Sequence, residues 1–396
     1  MKVLSFGSYN IDESYEVEHF VRPGETLKAL KASRHLGGKG FNQTMALHKA
    51  GVTVLPAGAI GEDGQIFLEA MKDLDLSLLK KISGPTGHAF IQLCQGENSI
   101  IINPGANNSI TEDQIHRAIA TCFPGDYLLI QNEINNLAPL IHEAHLRRMK
   151  VVFNAAPMHE DVLSLPLADV DLLIVNETEA SMLVDTSDHL IEALQKRFPH
   201  KEILLTLGEE GSVYLFEDVM IKQKSMPTQV VDTTGAGDTY IGFFLAALIN
   251  GVDIKEAMKQ ASYASSIAIS RFGAAESIPS IKEVHTAMVK DQLHHLPIFA
   301  GQTITYKKGR FHQDLPVFDE ATKAYVYAFY QSGLLKWYDE DNASLIKKDI
   351  TSLDLLETVK LLAYYIRQGS LKKDLFAQAI QDGTIKALDD HLHTFL

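Results

Sequence analysis

A chain of 396 residues exceeds one ordinary domain and has room for two or three. With 46% hydrophobic and 22% charged residues it has the composition of a soluble globular protein, and no apolar run approaches the ~20 residues that span a bilayer. A formal net charge of −14 argues against nonspecific nucleic-acid binding, although a divalent cation and local N–H donors can still hold phosphates on an acidic protein.

The start, MKVLSFGSYNID, turns polar too soon for a signal peptide and predicts a buried strand over 3–9. Further short apolar runs bounded by Gly, Asn or Pro predict strands over 53–57, 127–131, 151–154, 172–175 and 203–206. Helical spacing over 39–50, 63–74, 111–121, 137–149 and 191–198 alternates with them. The alternation implies an α/β fold: a three-layer, doubly wound, mainly parallel sheet whose ligands sit beyond the carboxyl ends of its strands. Two stretches break the pattern. Residues 13–36, around Arg22-Pro23-Gly24-Glu25, suggest a hairpin, and 88–93 with 99–103, joined by Gln95-Gly96-Glu97-Asn98, suggest a second strand pair. Together they make either a small β lid over the crevice or ordinary edge strands. Cys94 and Cys122 stand in or beside apolar runs, as free thiols of a reducing cytoplasm do; a single disulfide is the other reading.

From 293 to about 310 the chain becomes a polar connection containing His294, His295 and GQTITYKKGRFHQD. Beyond it, apolar residues at i, i+3, i+4 spacing over 321–335, 353–367 and 373–380 predict an all-α unit. The expected division is an α/β domain over 1–295 and a C-terminal helical domain over 296–396, of unassigned role. The aromatic cluster Tyr325, Tyr327, Phe329, Tyr330, Trp337 and Tyr338 suits the core of that unit better than an interface.

Several motifs fall at predicted strand ends. Asn10 and Asp12, two apart, lie on one face of an extended backbone, where an amide and a carboxylate suit sugar hydroxyls; an Asx turn is the plain alternative. Gly37-Gly38-Lys39-Gly40-Phe41-Asn42-Gln43 opens a helix, and its glycines allow close approach to a ligand. The string lacks the G-x-x-x-x-G-K-[ST] form, so a kinase here does not use the P-loop. Glu133 follows a buried strand. Asn176-Glu177-Thr178-Glu179 either helps hold the water shell of magnesium or caps a helix. Thr206-Leu207-Gly208-Glu209-Glu210-Gly211 reads as a turn. Most informative is Asp232-Thr233-Thr234-Gly235-Ala236-Gly237-Asp238-Thr239, followed by an apolar helix: small residues free backbone N–H groups at a helix start, and Asp238 stands beside them as a candidate base. The sixteen histidines show no ligand spacing, so no transition metal is expected.

GGKGFNQ and DTTGAGDTYIGFF, with FNAAP, VNETEA and TLGEEG between them in order, resemble the ribokinase-like sugar kinases, also called the phosphofructokinase-B family, over about residues 2–289. Lys39 distinguishes the chain from fructokinase-like members and points toward those acting on ribose. The resemblance implies phosphorylation of the D-ribose 5-hydroxyl by ATP, with Asp238 as general base and Gly235, Ala236 and Gly237 as an anion hole. It assigns sugar contacts to Asn10, Asp12, Gly38, Lys39, Asn42, Glu133 and Asp238, and ATP contacts to Asn176, Thr206, Gly208, Gly211, Gly237 and Ser262. Glu179 would serve Mg2+ or another divalent cation, and Asp232, Thr234, Ala268, Arg271, Gly273 and Ser277 an activating K+. A cytoplasmic homodimer joined through the lid strands is implied as well. The rival readings are a kinase for another furanose or a nucleoside, and a sugar-sensing protein without catalysis.

Overall fold

A computed structural model of the protein describes residues 1–95, 97–294, 296–301, 303–308, 314–371 and 373–396. Gly96 of the expected lid turn, and His295, Gln302 and 309–313 of the expected polar connection, lie outside the described residues. The chain divides into two compact units, Met1–Ile281 and Lys282–Leu396. That division precedes the expected 295/296 boundary because the helix Ile281–Leu293 commits Val289 and Leu293 to the second unit's core.

The first unit is built on a nine-stranded sheet in the order Val219–Gln223, Ser212–Phe216, Glu202–Thr206, Leu172–Asn176, Lys150–Asn154, Tyr127–Gln131, Val3–Phe6, Val54–Ile60, Leu78–Lys81. Pairing is parallel from Glu202–Thr206 through Leu78–Lys81, and antiparallel for the two strands at the other edge. Helices cover the central strands, so strands such as Val3–Phe6 are buried throughout rather than alternating. From Val3–Phe6 the chain builds outward to Leu78–Lys81, then returns to the other flank at Tyr127–Gln131. Strand order reverses between those two neighbours, which makes the space beyond their carboxyl ends the natural crevice.

The first strand stops at Phe6, short of the predicted residue 9, because Gly7-Ser8-Tyr9 leaves the sheet to reach a second one. That four-stranded sheet has the order Lys31–Gly37, Asn10–Glu16, Gly87–Cys94, Glu97–Asn103. It contains both predicted strand pairs, but its first strand begins at Asn10 rather than at 13, which puts Asn10 and Asp12 within it. The helix expected over 63–74 is only Gln65–Ala70. Asp63 instead turns its carboxylate to Thr86, accepting from the amide at 2.8 Å and the hydroxyl at 2.6 Å.

The helix Ala236–Ile249 is buried along nearly its whole length, which explains its uninterrupted apolar sequence. Gly242 lets it close on the helix Lys39–Lys49: a Cβ there would fall 2.3 Å from Ala46 Cβ. This crossing joins the two glycine-bearing segments.

The second unit holds the helices Glu320–Gln331, Leu355–Leu371, Lys373–Gln381 and Thr384–His393. It also carries an antiparallel ribbon, Ile304–Lys308 with Asp314–Phe318, where the sequence suggested only a polar connection. Tyr325 and Phe329 are in its core, with Trp337 and Tyr338 packed against it, whereas Tyr327 and Tyr330 are exposed. No helix among the described residues is long and apolar enough to cross a membrane.

Candidate active site

Ser8 leaves the first strand and receives the start of the helix Lys39–Lys49. Its carbonyl accepts from Phe41 N–H at 2.9 Å, and its hydroxyl accepts from Gly40 N–H at 3.2 Å. Gly40 has to be glycine, because a Cβ would fall 2.3 Å from the backbone nitrogen of Ser8. Glu133, just beyond the neighbouring strand, closes this arrangement by accepting from the Ser8 hydroxyl and, at 3.0 Å, from Lys39 N–H.

Asn42 and Gln43 extend from the same helix start to Asp238. Asn42 Nδ2 donates to Asp238 Oδ2 at 3.0 Å, and Gln43 Nε2 to Oδ1 at 2.8 Å. Asp238 lies in the first turn of Ala236–Ile249 and is only 7% exposed. Gly235, which caps that helix, has φ 73°, a left-handed conformation that suits glycine.

A cavity of about 240 Å³ opens beside this helix start, lined among others by Lys39, Asn154, Asn176, Glu179, Gly237 and Asp238. Thr206, Thr233, Gly235 and Ala236 also border it. Anions favour such a place: a helix N-terminus with unpaired N–H groups and a lysine. Asn176 and Glu179 form a reciprocal capping box, at 2.8 and 2.9 Å, so the plain helix-cap reading of N-E-x-E holds while both residues face the cavity.

Charge around Lys39 is dense. Asp238 above all, and also Glu133 and Glu179, hold its ammonium above the ordinary lysine range against the opposing effect of burial. Burial raises the Glu133 and Glu179 carboxyls. Asp12 is pushed up to about 7, chiefly by burial and then by Glu133, Glu276 and Asp238. Its carboxylate lies over Gly37, where a Cβ would come within 2.0 Å of Oδ2. Asn10 is buried and accepts from Asn107 Nδ2 at 2.7 Å. Gly38, with φ 90°, leads into the lysine-bearing helix.

Other predicted residues are elsewhere. Gly208, Gly211 and Ser262 do not line the cavity, and of the predicted sugar contacts only Lys39 and Asp238 do. Gly211 has its own packing reason to be glycine, since a Cβ would fall 2.0 Å from Gln223 O. Ser262 is buried within the helix Ile254–Ile269. Asp232 ties two loops together: Oδ1 accepts from Thr234 N–H at 2.9 Å and its hydroxyl at 2.7 Å, and Oδ2 accepts from Gly273 N–H at 3.0 Å. Burial alone would raise the Asp232 carboxyl, but these donors hold it below its ordinary value. Ala268 O accepts from Arg271 N–H at 3.0 Å, and Ser277 Oγ donates to Ala274 O at 2.8 Å. The acceptors among these groups are oxygens, the ligand type that hard cations take. No group of three or more His, Cys, Asp or Glu residues that could hold a metal ion occurs among the described residues. Glu179 and Asp238 in one cavity nevertheless fit a magnesium ion that keeps most of its waters and is bound mainly through phosphates.

Sequence reasoning left Ser8, Gln43, Asn107, Gln131, Asn154 and Thr233 without roles. Gln43, Asn154 and Thr233 stand inside quoted motifs and Ser8 and Gln131 in predicted strands, but what each one meets is a spatial signal, because the partners are distant in sequence.

A model of the pfkB family carbohydrate kinases matches residues 1–281. The chain is 32% identical to ribokinase of Staphylococcus aureus (strain COL) over 305 residues, covering 72% of this chain and 98% of the other. The structure of Arabidopsis thaliana ribokinase complexed with ribose and ATP superposes with a TM-score of 0.65 at 30% identity, covering 72% of this chain and 97% of that one. Ribokinase from Cryptococcus neoformans var. grubii serotype A, in complex with ADP, gives a TM-score of 0.64 at 31% identity, covering 72% and 99%. With the family's extent and the crevice geometry in agreement, the chain belongs to the pfkB family of carbohydrate kinases and is an ATP-dependent sugar kinase.

Proposed function

We propose that the enzyme transfers the γ-phosphoryl group of ATP to the 5-hydroxyl of D-ribose, with Asp238 as general base. The observation that carries this reading is the position of Asp238: its carboxylate is gripped by Asn42 and Gln43 and borders the cavity at the start of its own helix. The base and the anion-binding N–H groups therefore share one helical turn.

Asn10, Asp12, Gly38, Asn42 and Glu133 hold the sugar, with carboxylates and amides accepting from or donating to its ring hydroxyls. Asp238 takes the proton of the attacking hydroxyl as the new O–P bond forms and the bond to the leaving β-phosphate oxygen breaks, releasing ADP. Lys39 and the N–H groups of Gly235 and Gly237, with that of Ala236 once it leaves its 3.2 Å bond to Thr233 O, balance charge on the phosphoryl oxygens. Asn176 and Thr206 border the nucleotide end, with Gly208, Gly211 and Ser262 at greater distance. Glu179 would hold Mg2+ through water; that ion supplies charge neutralisation on the phosphates. Asp232, Thr234, Ala268, Arg271, Gly273 and Ser277 would hold K+, which supplies a fixed positive charge beside the anion hole.

The four-stranded sheet would close over the sugar and exclude water as a competing acceptor. Its edge strand Glu97–Asn103 is exposed at every residue, and Ile100, Ile101 and Ile102 on it support a homodimer joined edge to edge. Free Cys94 and Cys122 accord with a cytoplasmic location.

A panel of furanoses, hexoses and nucleosides, assayed for sugar-dependent ADP release from ATP, tests the assignment. D-ribose should give the highest kcat/KM. A nucleoside turned over faster at limiting concentration would move the assignment to that substrate class.

A further inference from the structure

Asp238 is held by a relay that reaches the floor of the sheet. Gln43 Nε2 donates to Asp238 Oδ1 at 2.8 Å, and Gln43 Oε1 accepts from Gln131 Nε2 at 2.7 Å. Both glutamines have zero exposure. Gln131 ends the strand Tyr127–Gln131, one of the two strands between which the sheet order reverses. We infer that Gln43 and Gln131 are positioning residues that fix the carboxylate of Asp238 for proton transfer. The inference rests on Asp238 being the general base.

The polarity of the chain of bonds follows from its end. An ionised carboxylate only accepts, so Gln43 must present its NH2 group to Asp238 and its oxygen to Gln131. Gln131 must then present its NH2 group to Gln43, which leaves its own oxygen as the terminal atom. That oxygen is buried and has no hydrogen-bond partner among the described residues. It lies against Gly7, where a Cβ would come within 2.3 Å of it. A buried acceptor without a donor opposes folding, so this orientation is not what stability alone would select. Asn42 holds the other carboxylate oxygen at 3.0 Å, and two donors on two oxygens define the carboxylate plane. Gln43 acts on the sugar only through Asp238, so its loss should fall on kcat.

The test uses the full chain and two substitutions. Gln43→Leu keeps similar volume but removes the donor; kcat should fall ~10–100-fold while both KM values stay within ~3-fold. Gln131→Glu is isosteric and has no hydrogen bond to Asp238. Protonated, it still donates to Gln43 and the relay persists. Ionised, it can only accept, so the Gln43 amide reverses and turns its oxygen on Asp238. The pH profile of kcat should therefore gain a new alkaline limb, which simple damage to packing would not produce. In the double variant Gln43→Leu/Gln131→Glu that limb should vanish.

Unchanged kcat in Gln43→Leu, or a Gln131→Glu profile parallel to the parent's, overturns the inference while an inactive Asp238→Asn enzyme keeps the base assignment. Full activity in Asp238→Asn overturns both. Should Gln43→Leu not fold, the alkaline limb of Gln131→Glu decides alone.

Discussion

Asn42 Nδ2 and Asp238 Oδ2 are 3.0 Å apart although 196 positions separate them in sequence. The bond joins the first turn of Lys39–Lys49 to the first turn of Ala236–Ile249, and the contact of Gly242 with Ala46 sets the spacing between those helices. A lysine, a carboxylate and a helix N-terminus thereby share one crevice. Replacing Asp238 by Asn keeps its shape but removes the proposed proton acceptor. kcat should fall by roughly 10²–10⁴ while the melting temperature stays near the parent's. Steady-state kinetics beside thermal unfolding checks both halves.

Much of this crevice was legible because its parts sit in local signals. The run YLLIQ reads as a buried strand since helices cover both faces of the sheet, and GGKG and GAGD announce helix starts by their small residues. What the sequence hid was pairing at long range. Nothing local says that Gln131 will meet Gln43, 88 positions away, or that Asn107 will hold Asn10. The sequence pattern carries the first strand past Phe6 to Tyr9, although Gly7-Ser8-Tyr9 leads into a different sheet. In the second unit, Ile304–Lys308 is exposed along most of its length, and Pro316 interrupts its partner Asp314–Phe318, so neither strand shows the pattern of a buried one.

If Asp12 holds the sugar as proposed, sugar binding should depend on pH. Burial first, then Glu133, Glu276 and Asp238, raise its carboxyl to about 7 from an ordinary 3.8. The ionised form is the better acceptor for sugar hydroxyls, so KM for the sugar should fall as pH rises toward 7 and level off above it. Asp12→Asn should remove that dependence and raise KM at pH 8. The stability effect has the opposite sense. A raised carboxyl contributes stability that is fully present below 3.8 and lost as pH rises through about 7. Asp12→Asn should therefore melt above the parent at pH 8 and close to it at pH 4. Sugar KM measured across pH 5–9 and melting temperature across pH 4–9 test the pair of signs; a parent KM that is flat in pH excludes this role for Asp12.

Two glycines in the site should respond differently to alanine. At Gly40 a Cβ would meet the Ser8 backbone nitrogen at 2.3 Å, and backbone cannot step aside. Gly40→Ala should cost about 1–3 kcal/mol of stability and disturb Ser8 and Glu133 together. At Gly237 no atom lies within 4 Å of the added carbon. Gly237→Ala should fold normally, even gaining about 0.5–1 kcal/mol from helix propensity, while its methyl group obstructs the phosphates. The expected signature is an unchanged or higher unfolding midpoint with a reduced kcat/KM for ATP. Equal losses of stability in the two variants would contradict the geometry.

The exposed strand Glu97–Asn103 offers a test of assembly. Ile100, Ile101 and Ile102 are 49%, 65% and 54% exposed, so both faces of the outermost strand present isoleucine to solvent in the isolated chain. A bare apolar edge is a pairing surface, and a lysine on it is the common way to blunt one. Ile101 lies in register with Phe90, itself 41% exposed, so a charge there would sit in the middle of the apolar strip. Ile101→Lys should convert a dimer to a monomer in light scattering and leave the melting temperature within a few degrees of the parent's monomeric value. Ile101 and Phe90 align with Glu13, so the substitution lies across the strand Gly87–Cys94 from Asp12 and on the opposite face of the sheet from it. Loss of sugar affinity in the monomer would therefore mean that the partner's sheet steadies the lid. Unchanged mass for both proteins, monomer or dimer, would remove edge pairing as the basis of assembly.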